Sequence, residues 1–501
     1  MITISRRGFL KGSCLAVSAL ALGDWWRETE RLLAAPPAGP EDFLPQEEMN
    51  RILARALERG GHYADLFVEN RVRTHIRIVD SRIESLEYGV LQGGGVRTLA
   101  GERSGYAYTE SLDPAALTAA ASTAAEIASA GQEVGPVPVS SIDVPRYIVA
   151  REAIDAAGIP AKVALLERAD RSARAVDPAV KQVTVDYTDE VQRFAIATAS
   201  GQLGYDELPI IYFRVTVTAE RDGERAEGAS RASQRAGMEF MGGDHPERAG
   251  REAAEQAMRL LDAVPAPTGE MPVVVAAGGG VMFHEAVGHG LEADAIIRDT
   301  SVFAGRSGEM VASELVTLYD DAAIPNARGS FNIDDEATPA AKTLLIDRGR
   351  LVSYMQDRRT AHAMGMAATA NGRRQSFRYP PMVRMTNTYV APGRESPEEI
   401  IKATPRGVYA VHFGGGEVDT GSGQFTFGLR EAYLIEDGKV TAPIKGANLV
   451  GAGIEVLERI DRVGSDYGSW PGTCGKGDQW VPVTSGCPTL RISRITVGGT
   501  T

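Results

Sequence analysis

The stretch PVVVAAGGGVMFHEAVGHG, residues 272–290, has the pattern of a buried strand, a glycine turn and a helix that carries two histidines. Glu285 directly follows the first histidine, as in the zinc-protease signature H-E-x-x-H, but His284 and His289 are five positions apart rather than four. On a regular α-helix, positions five apart point about 140° away from each other. The two side chains would then not meet at one metal ion.

A wider helical turn would resolve this spacing. A π-type turn brings positions five apart to within roughly 50° of each other, and such turns are frequent at functional sites. Gly288 and Gly290 flank His289, where the helix could loosen or end. From the spacing alone two explanations remain open, a metal-binding pair and a helix with two hydrogen-bonded histidines. A catalytic zinc ion also needs a third protein ligand, for which the candidates are Glu292, Asp294, His362, His412 and Cys474.

Phosphate-binding functions are disfavoured. The glycine turn 278–280 could hold a phosphate at the start of the helix, but no Lys-Ser or Lys-Thr pair follows it. The chain has 501 residues and a formal net charge of −13. Binding to nucleic acid requires a basic surface, and the arginines of residues 371–378 are too few to provide one. Nucleic acid is therefore not the expected partner.

The N-terminus has the features of an export signal. Residues 5–11, SRRGFLK, precede the short apolar run GSCLAVSALALG, and no acidic residue occurs before Asp24. This run is too short to span a membrane, and the paired Arg6 and Arg7 resemble a twin-arginine signal. We therefore expect residues 1–35 to be a signal peptide and linker, and the mature protein to be periplasmic or otherwise extracytoplasmic. The cleavage site remains open.

The rest of the chain predicts an α+β protein of two domains. Residues 36–268 read as an N-terminal domain in which a helix, several antiparallel strands and a second helix occur twice in succession. Residues 269–501 read as a β-rich C-terminal domain that carries the His284 helix. Turn signals are frequent there, among them Asp437-Gly438 in a predicted hairpin. No later segment is long and apolar enough to predict a membrane span.

FHEAVGHGLEAD, residues 283–294, resembles the motif of the TldD/PmbA metallopeptidases on their TldD-like, metal-bearing side. The resemblance continues in family order through the C-terminal half, at residues 328–361, 371–393, 414–427, 431–451 and 474–492. It implies a zinc ion held by His284, His289 and Cys474, with Glu285 as the general base on a zinc-bound water. It further implies hydrolysis of small or unfolded peptides, which bind as extended strands beside a sheet edge. The backbone of Gly414, Gly415 and Gly416 suits that mode of binding.

The family also implies a dimer, either of two such chains or with a PmbA/TldE-like paralogue that lacks the motif. The alternative is a non-catalytic, zinc-stabilised peptide-binding or modulator protein, in which a fourth protein ligand would close the metal site.

The cysteines pose a separate question. Cys14 lies in the predicted signal, which leaves Cys474 and Cys487. Two cysteines in an exported protein ordinarily form a disulfide, and a disulfide here would remove a metal ligand. Because zinc loaded before export would protect Cys474, we expect it to be a ligand rather than half of a disulfide.

Overall fold

The computed structural model describes residues 2–4, 36–129 and 135–499. Most of the predicted signal peptide lies outside these residues, and only Ile2–Ile4 of it is described, as a short strand (β1). The chain divides into two compact units. The first contains Met1–Leu261 together with Phe331–Ala337 and Gln375–Pro380, and the second contains Asp262–Ser330, Thr338–Arg374 and Pro381–Thr501.

The first unit is a long-stranded antiparallel sheet with four helices. Its elements in chain order are α1 Gln46–Leu57, β2 Tyr63–Val79, β3 Arg82–Ala100, β4 Arg103–Thr109, α2 Pro114–Ala128, β5 Ser140–Ser141, α3 Ile159–Arg174, β6 Val180–Thr198, β7 Gln202–Arg221, β8 Glu224–Gln234 and α4 His245–Leu261. Short 3₁₀ turns occur at Pro40–Asp42 and Met238–Met241.

The order of these elements has the internal repeat that the sequence predicts. Helix, three antiparallel strands and helix occur once from α1 to α2 and again from α3 to α4, and β2 pairs with β6 where the two copies meet in the sheet. Each helix buries its apolar side; α1, for example, covers the sheet with Met49, Ile52 and Leu53. The helix α2 begins where Asp113 accepts a hydrogen bond from the amide of Ala115, as an N-cap residue does.

The second unit contains mostly strands and short helical segments. These are β9 Val264–Pro265, β10 Gly269–Val275, α5 Val281–Phe283, a π turn His284–Gly288, a 3₁₀ turn His289–Leu291, α6 Ala293–Ile297, β11 Leu318–Asp321, β12 Lys342–Asp347, β13 Arg350–Leu351, α7 Arg358–Met364, β14 Gly372–Arg373, β15 Met382–Val383, β16 Asn387–Val390, α8 Pro397–Lys402, β17 Arg406–Val418, β18 Gln424–Glu436, β19 Lys439–Lys445, β20 Ala447–Ala452, α9 Gly453–Glu458, β21 Ile460–Val463, β22 Gly468–Lys476, β23 Gln479–Cys487 and β24 Leu490–Gly499.

Two sheets of this unit position the site. In the first, β10, β24, β20, β18 and β17 follow one another, and the sheet closes into a ring because β17 pairs with both β18 and β10. In the second, the order is β13-β12-β11-β16-β23-β22, which leaves β22 at an edge. The predicted hairpin at Asp437-Gly438 joins β18 to β19, and both turn residues have positive φ (49° and 70°), as a tight hairpin turn requires. Among the described residues, no helix has the length and apolar character of a membrane span.

Candidate metal centre

The strand β10 delivers the histidine helix into the core of the second unit. Val273, Val274 and Val275 are fully buried, and the chain then turns through Gly278, whose φ is 94°. A Cβ atom at Gly280 would lie 2.5 Å from the backbone of Gly486. The glycines therefore allow the turn to pack closely on neighbouring strands, which accounts for them without a phosphate ligand.

The extra residue between the histidines is accommodated by a π turn. His284–Gly288 has π-helical geometry and is followed directly by the 3₁₀ turn at His289. The two imidazole rings lie with their centroids 5.7 Å apart. Gly288 packs against Met385 so closely that a Cβ atom there would lie 2.1 Å from the methionine sulfur. The widened turn thus brings both histidine side chains to the same side of the helical segment, against the core of the second unit.

The edge strand β22 brings Cys474 to the same place. One nitrogen of His284, one nitrogen of His289 and the sulfur of Cys474 all lie within 4.8 Å of one another. Cys474 Sγ lies 3.3 Å from His289 Nε2. His284 and Cys474 are almost fully buried. Two histidines of one motif and a cysteine 185 residues beyond His289 therefore present nitrogen and sulfur donors to one small volume.

These residues fit a metal ion. Both ring nitrogens of His284 are buried and have no hydrogen-bond partner among the described residues. Buried polar atoms ordinarily have a partner, and a bound metal ion would supply one here. Burial raises the pKa of the Cys474 thiol, but His284 and His289 outweigh it and lower that pKa to about 5. The thiolate is the form of cysteine that binds metals. Two imidazole nitrogens and a thiolate are a donor set that zinc accepts.

Glu285 borders the cluster on its more open side, with 28% of its side chain exposed. One carboxylate oxygen lies 3.4 Å from His289 Nε2, and the other lies 4.0 Å from His284 Nε2. Burial raises the pKa of Glu285, but the two histidines outweigh it and hold the pKa below its ordinary value. The carboxylate is therefore ionised at neutral pH and able to accept a proton.

A second layer of charged groups surrounds His289. Glu292 Oε2 lies 2.9 Å from His289 Nδ1 and is also 2.9 Å from the ammonium of Lys476. Lys476 pairs in addition with Asp294 at 2.6 Å. Although burial raises the pKa of Glu292, Lys476 and His289 lower it to about 2. Glu292 therefore contacts a candidate ligand and Asp294 contacts Lys476, but neither carboxylate belongs to the group of candidate ligands.

The other residues singled out in the sequence lie elsewhere. His362 is exposed on α7, and His412 pairs with Glu431 through a contact of 2.9 Å. Gly414–Gly416 lie in β17, where the pairing with β18 is irregular between Phe413 and Gly416. None of these residues belongs to the group of candidate ligands found among the described residues.

Both described cysteines are free thiols, Cys474 and Cys487. In the β22–β23 hairpin Cys474 faces Val481, whereas Cys487 faces Gly468. Six residues of strand separate the two positions, or roughly 20 Å, which is far beyond the span of a disulfide. The ordinary expectation of a disulfide is therefore wrong for this pair.

The contacts that three residues make at the site were not predicted from the sequence. Lys476 follows Cys474 by two positions, so the alternation of side chains along a strand would have placed both on one face. Arg384 is fully buried and donates to the carbonyl oxygens of Cys474 and Gln479, and Met385 packs on the π turn. The contacts of Arg384 and Met385 join segments far apart in the chain, and no local pattern indicates them.

Comparison with known proteins gives matches along most of the chain. The PmbA/TldA metallopeptidase domain 1 matches residues 64–128, the central domain of that family matches 152–261, and its C-terminal domain matches 268–499. A metalloprotease TldD homolog of Haemophilus influenzae is 40% identical over 448 residues, which cover 87% of this chain and 93% of the relative.

Two further matches concern the metal and the fold. A zinc metalloprotease TldD homolog of Saccharolobus solfataricus is 32% identical over 233 residues, which cover 46% of this chain and 52% of the relative. The crystal structure of TldE from Thermococcus kodakarensis matches with a TM-score of 0.70 and 19% identity, and covers 90% of this chain and 100% of that one. At that identity the likeness shows the fold alone.

Proposed function

This chain belongs to the PmbA/TldD metallopeptidase family, and we propose that it is an exported, zinc-dependent peptidase that cleaves small or unfolded peptides. One observation carries the proposal more than any other. A nitrogen of His284, a nitrogen of His289 and the sulfur of Cys474 come within 4.8 Å of one another, and the carboxylate of Glu285 borders them.

The ligands of the zinc would be His284, His289 and Cys474. When bound, zinc would supply Lewis acidity that activates a water molecule and polarises the scissile carbonyl. No fourth histidine, cysteine or carboxylate among the described residues joins the three candidates. A site with three protein ligands is typical of catalytic zinc, whereas structural zinc ordinarily has four. This favours catalysis over a purely structural metal.

Glu285 would act as the general base. Its carboxylate is ionised at neutral pH and has the most exposed side chain of the four site residues named here. Glu285 would take a proton from the attacking water and then deliver it to the nitrogen of the departing amine. A positioned carboxylate in this role typically accelerates a reaction by about 10²–10⁴-fold.

The peptide would bind through its backbone, in an extended conformation. In β17 the pairing with β18 passes from Phe413 directly to Gly416, so Gly414 and Gly415 are outside the regular ladder. A Cβ atom at Gly415 would meet nothing within 4 Å. Backbone groups of this kind can pair with an added strand of almost any sequence, which suits a peptidase of broad specificity.

The chain would work in a dimer and outside the cytoplasm. Membership of the family supports pairing with a TldE-like paralogue or with a second copy of this chain. The twin arginines at positions 6 and 7 support export of the folded protein. Zinc would then be loaded before export, and the thiolate of Cys474 would be protected by the metal.

The test compares zinc content with peptide cleavage in the full-length protein, with a TldE-like partner supplied. Wild type should bind one zinc ion per chain and cleave an unstructured peptide. Glu285→Gln should retain the zinc and lose cleavage by at least about 100-fold. Glu398→Gln, which changes an exposed carboxylate on α8, should behave as wild type. Absence of cleavage by the zinc-loaded wild type would contradict peptidase activity, and loss of zinc from Glu285→Gln would contradict the role of base.

A further inference from the structure

The two nitrogens of His289 have different partners. Nε2 faces Cys474 Sγ at 3.3 Å, on the side of the proposed metal. Nδ1 faces Glu292 Oε2 at 2.9 Å. A carboxylate on one ring nitrogen holds the hydrogen there and leaves the other nitrogen free to bind a metal. His284 has no such partner among the described residues. His289 is thus held by a carboxylate on the ring nitrogen that does not face Cys474, and His284 is not.

Glu292 is itself held in place by a lysine. Its side chain is 1% exposed, and a buried carboxylate requires a counter-charge. Lys476 supplies that charge and places all three of its N–H groups, on Glu292 at 2.9 Å, Asp294 at 2.6 Å and the carbonyl oxygen of Val383 at 3.1 Å. With three acceptors around it, the ammonium has a single defined position.

The lysine belongs to the strand that provides the sulfur ligand. Lys476 follows Cys474 by two residues in β22, and side chains two apart share one face of a strand. The same ammonium therefore connects the strand of Cys474 with the segment that contains His289 and Glu292. Lys476 and Glu292 are 184 positions apart in the chain. Arg384 also holds the strand of Cys474, because it donates to the carbonyl oxygen of Cys474.

We infer that Glu292 and Lys476 are positioning residues of the metal site: Glu292 orients His289, and Lys476 locks Glu292 to the strand that carries Cys474. Neither residue is a ligand. Their ion pair sets the separation between an imidazole and a thiolate that come from distant parts of the chain. Metal affinity therefore depends on a lysine that does not touch the metal. This inference rests on the proposed zinc site but not on peptidase activity.

The experiment is a double-mutant cycle on metal affinity in the full-length protein. Zinc dissociation constants are measured by competition with a chelator for wild type, Glu292→Gln, Lys476→Met and the double variant. We expect each single variant to bind zinc about 10–100-fold more weakly, as is usual when a residue that orients a ligand is lost. The zinc dissociation constant of the double variant should lie within about 3-fold of that of the weaker-binding single variant, because both changes remove the same ion pair.

Arg298→Met is the matched control. Arg298 lies on the solvent side of Asp294 and pairs with it at 3.0 Å, and 59% of the Arg298 side chain is exposed. The substitution therefore removes a cation from the same group of charges without disturbing Glu292. It should bind zinc within about 3-fold of wild type. The absorption spectrum of the cobalt-loaded protein gives a second readout, since reorientation of His289 should change the ligand-field bands in Glu292→Gln and Lys476→Met but not in Arg298→Met.

The outcomes separate the inference from the proposal beneath it. If Lys476→Met binds zinc as tightly as Arg298→Met, or if the two changes are additive, the positioning role is overturned while the zinc site stands. If wild type binds no zinc, both fail. If Lys476→Met alone does not fold, the double variant takes its place, because it leaves neither Glu292 nor Lys476 as an unpaired charge. Zinc affinity equal to that of Glu292→Gln then supports the inference, and clearly weaker zinc binding by the double variant overturns it.

Discussion

Gly288 shows how a single missing side chain permits the metal site. It lies in the π turn between the histidines and contacts the sulfur of Met385. We expect Gly288→Ala to destabilise the protein by about 1–3 kcal/mol, because an added methyl group would have to displace Met385 or the turn. Thermal unfolding and zinc affinity should both fall. Gly415→Ala, at a position with open space, is the control and should match wild type in both measurements.

The residues of the site differ in how far the sequence could predict them. His284, Glu285 and His289 stand close together in one motif, so local spacing was enough to make them candidates. Cys474 lies 185 residues beyond His289, and only the family resemblance chose it from five candidates. Lys476 could have been found by strand alternation once Cys474 was chosen. Arg384 could not, because its partners are backbone carbonyl groups that only the folded chain brings near.

At the scale of elements, the sequence predicted the repeated order of helices and strands in the first unit, and the fold has that order. The lengths of the strands were not predicted. Strand β2, for example, continues over 17 residues although charged side chains occur along it. In the sheet, Arg71 pairs with Glu69 and Glu190, and these contacts allow the strand to continue.

The contact between β7 and the segment Phe331–Ala337 should make stability depend on pH. Asp206 accepts hydrogen bonds from the backbone and side chain of Asn332 and from the amides of Ile333 and Glu207. Burial outweighs them and raises the pKa of Asp206 to about 6. The folded carboxyl group thus holds its proton more tightly than the unfolded one. Its contribution is fully present below about pH 4 and is lost as the pH rises through about 6, by roughly 3 kcal/mol.

Urea unfolding of wild type and Asp206→Asn at pH 4 and pH 7 measures this contribution. The difference in unfolding free energy between the two proteins should shift by roughly 2 kcal/mol against wild type from pH 4 to pH 7, because asparagine does not titrate. Asp222→Asn, in an exposed turn, should follow wild type at both values. Parallel behaviour of wild type and Asp206→Asn would show that Asp206 has an ordinary pKa.

At the scale of the whole molecule, the sequence predicted an α+β protein with a β-rich C-terminal half, and the fold agrees with both. It did not indicate that Phe331–Ala337 and Gln375–Pro380 belong with the first unit. Those segments are held by contacts such as Arg97 with Glu336, and Glu69 with the amide of Phe377. Such pairs join residues hundreds of positions apart, which composition and periodicity do not report.

Export is a prediction for the whole chain. Replacement of both Arg6 and Arg7 by lysine should keep the protein in the cytoplasm, because the twin-arginine pathway depends on the arginine pair. Cell fractionation followed by detection of the protein measures this. The matched control replaces Arg27 by lysine, beyond the apolar run, and should be exported as wild type. Equal amounts of wild type and the twin-lysine variant outside the cytoplasm would contradict the prediction.

The central claim is that a single zinc ion is held by His284, His289 and Cys474. The most direct measurement is anomalous X-ray scattering at the zinc edge from crystals of the full-length protein. We predict one strong peak per chain, about 2.0–2.1 Å from a nitrogen of each histidine and about 2.3 Å from the sulfur of Cys474. No peak at these residues in zinc-loaded crystals, or a peak at which Cys487 or Glu292 replaces one of them, would contradict the claim.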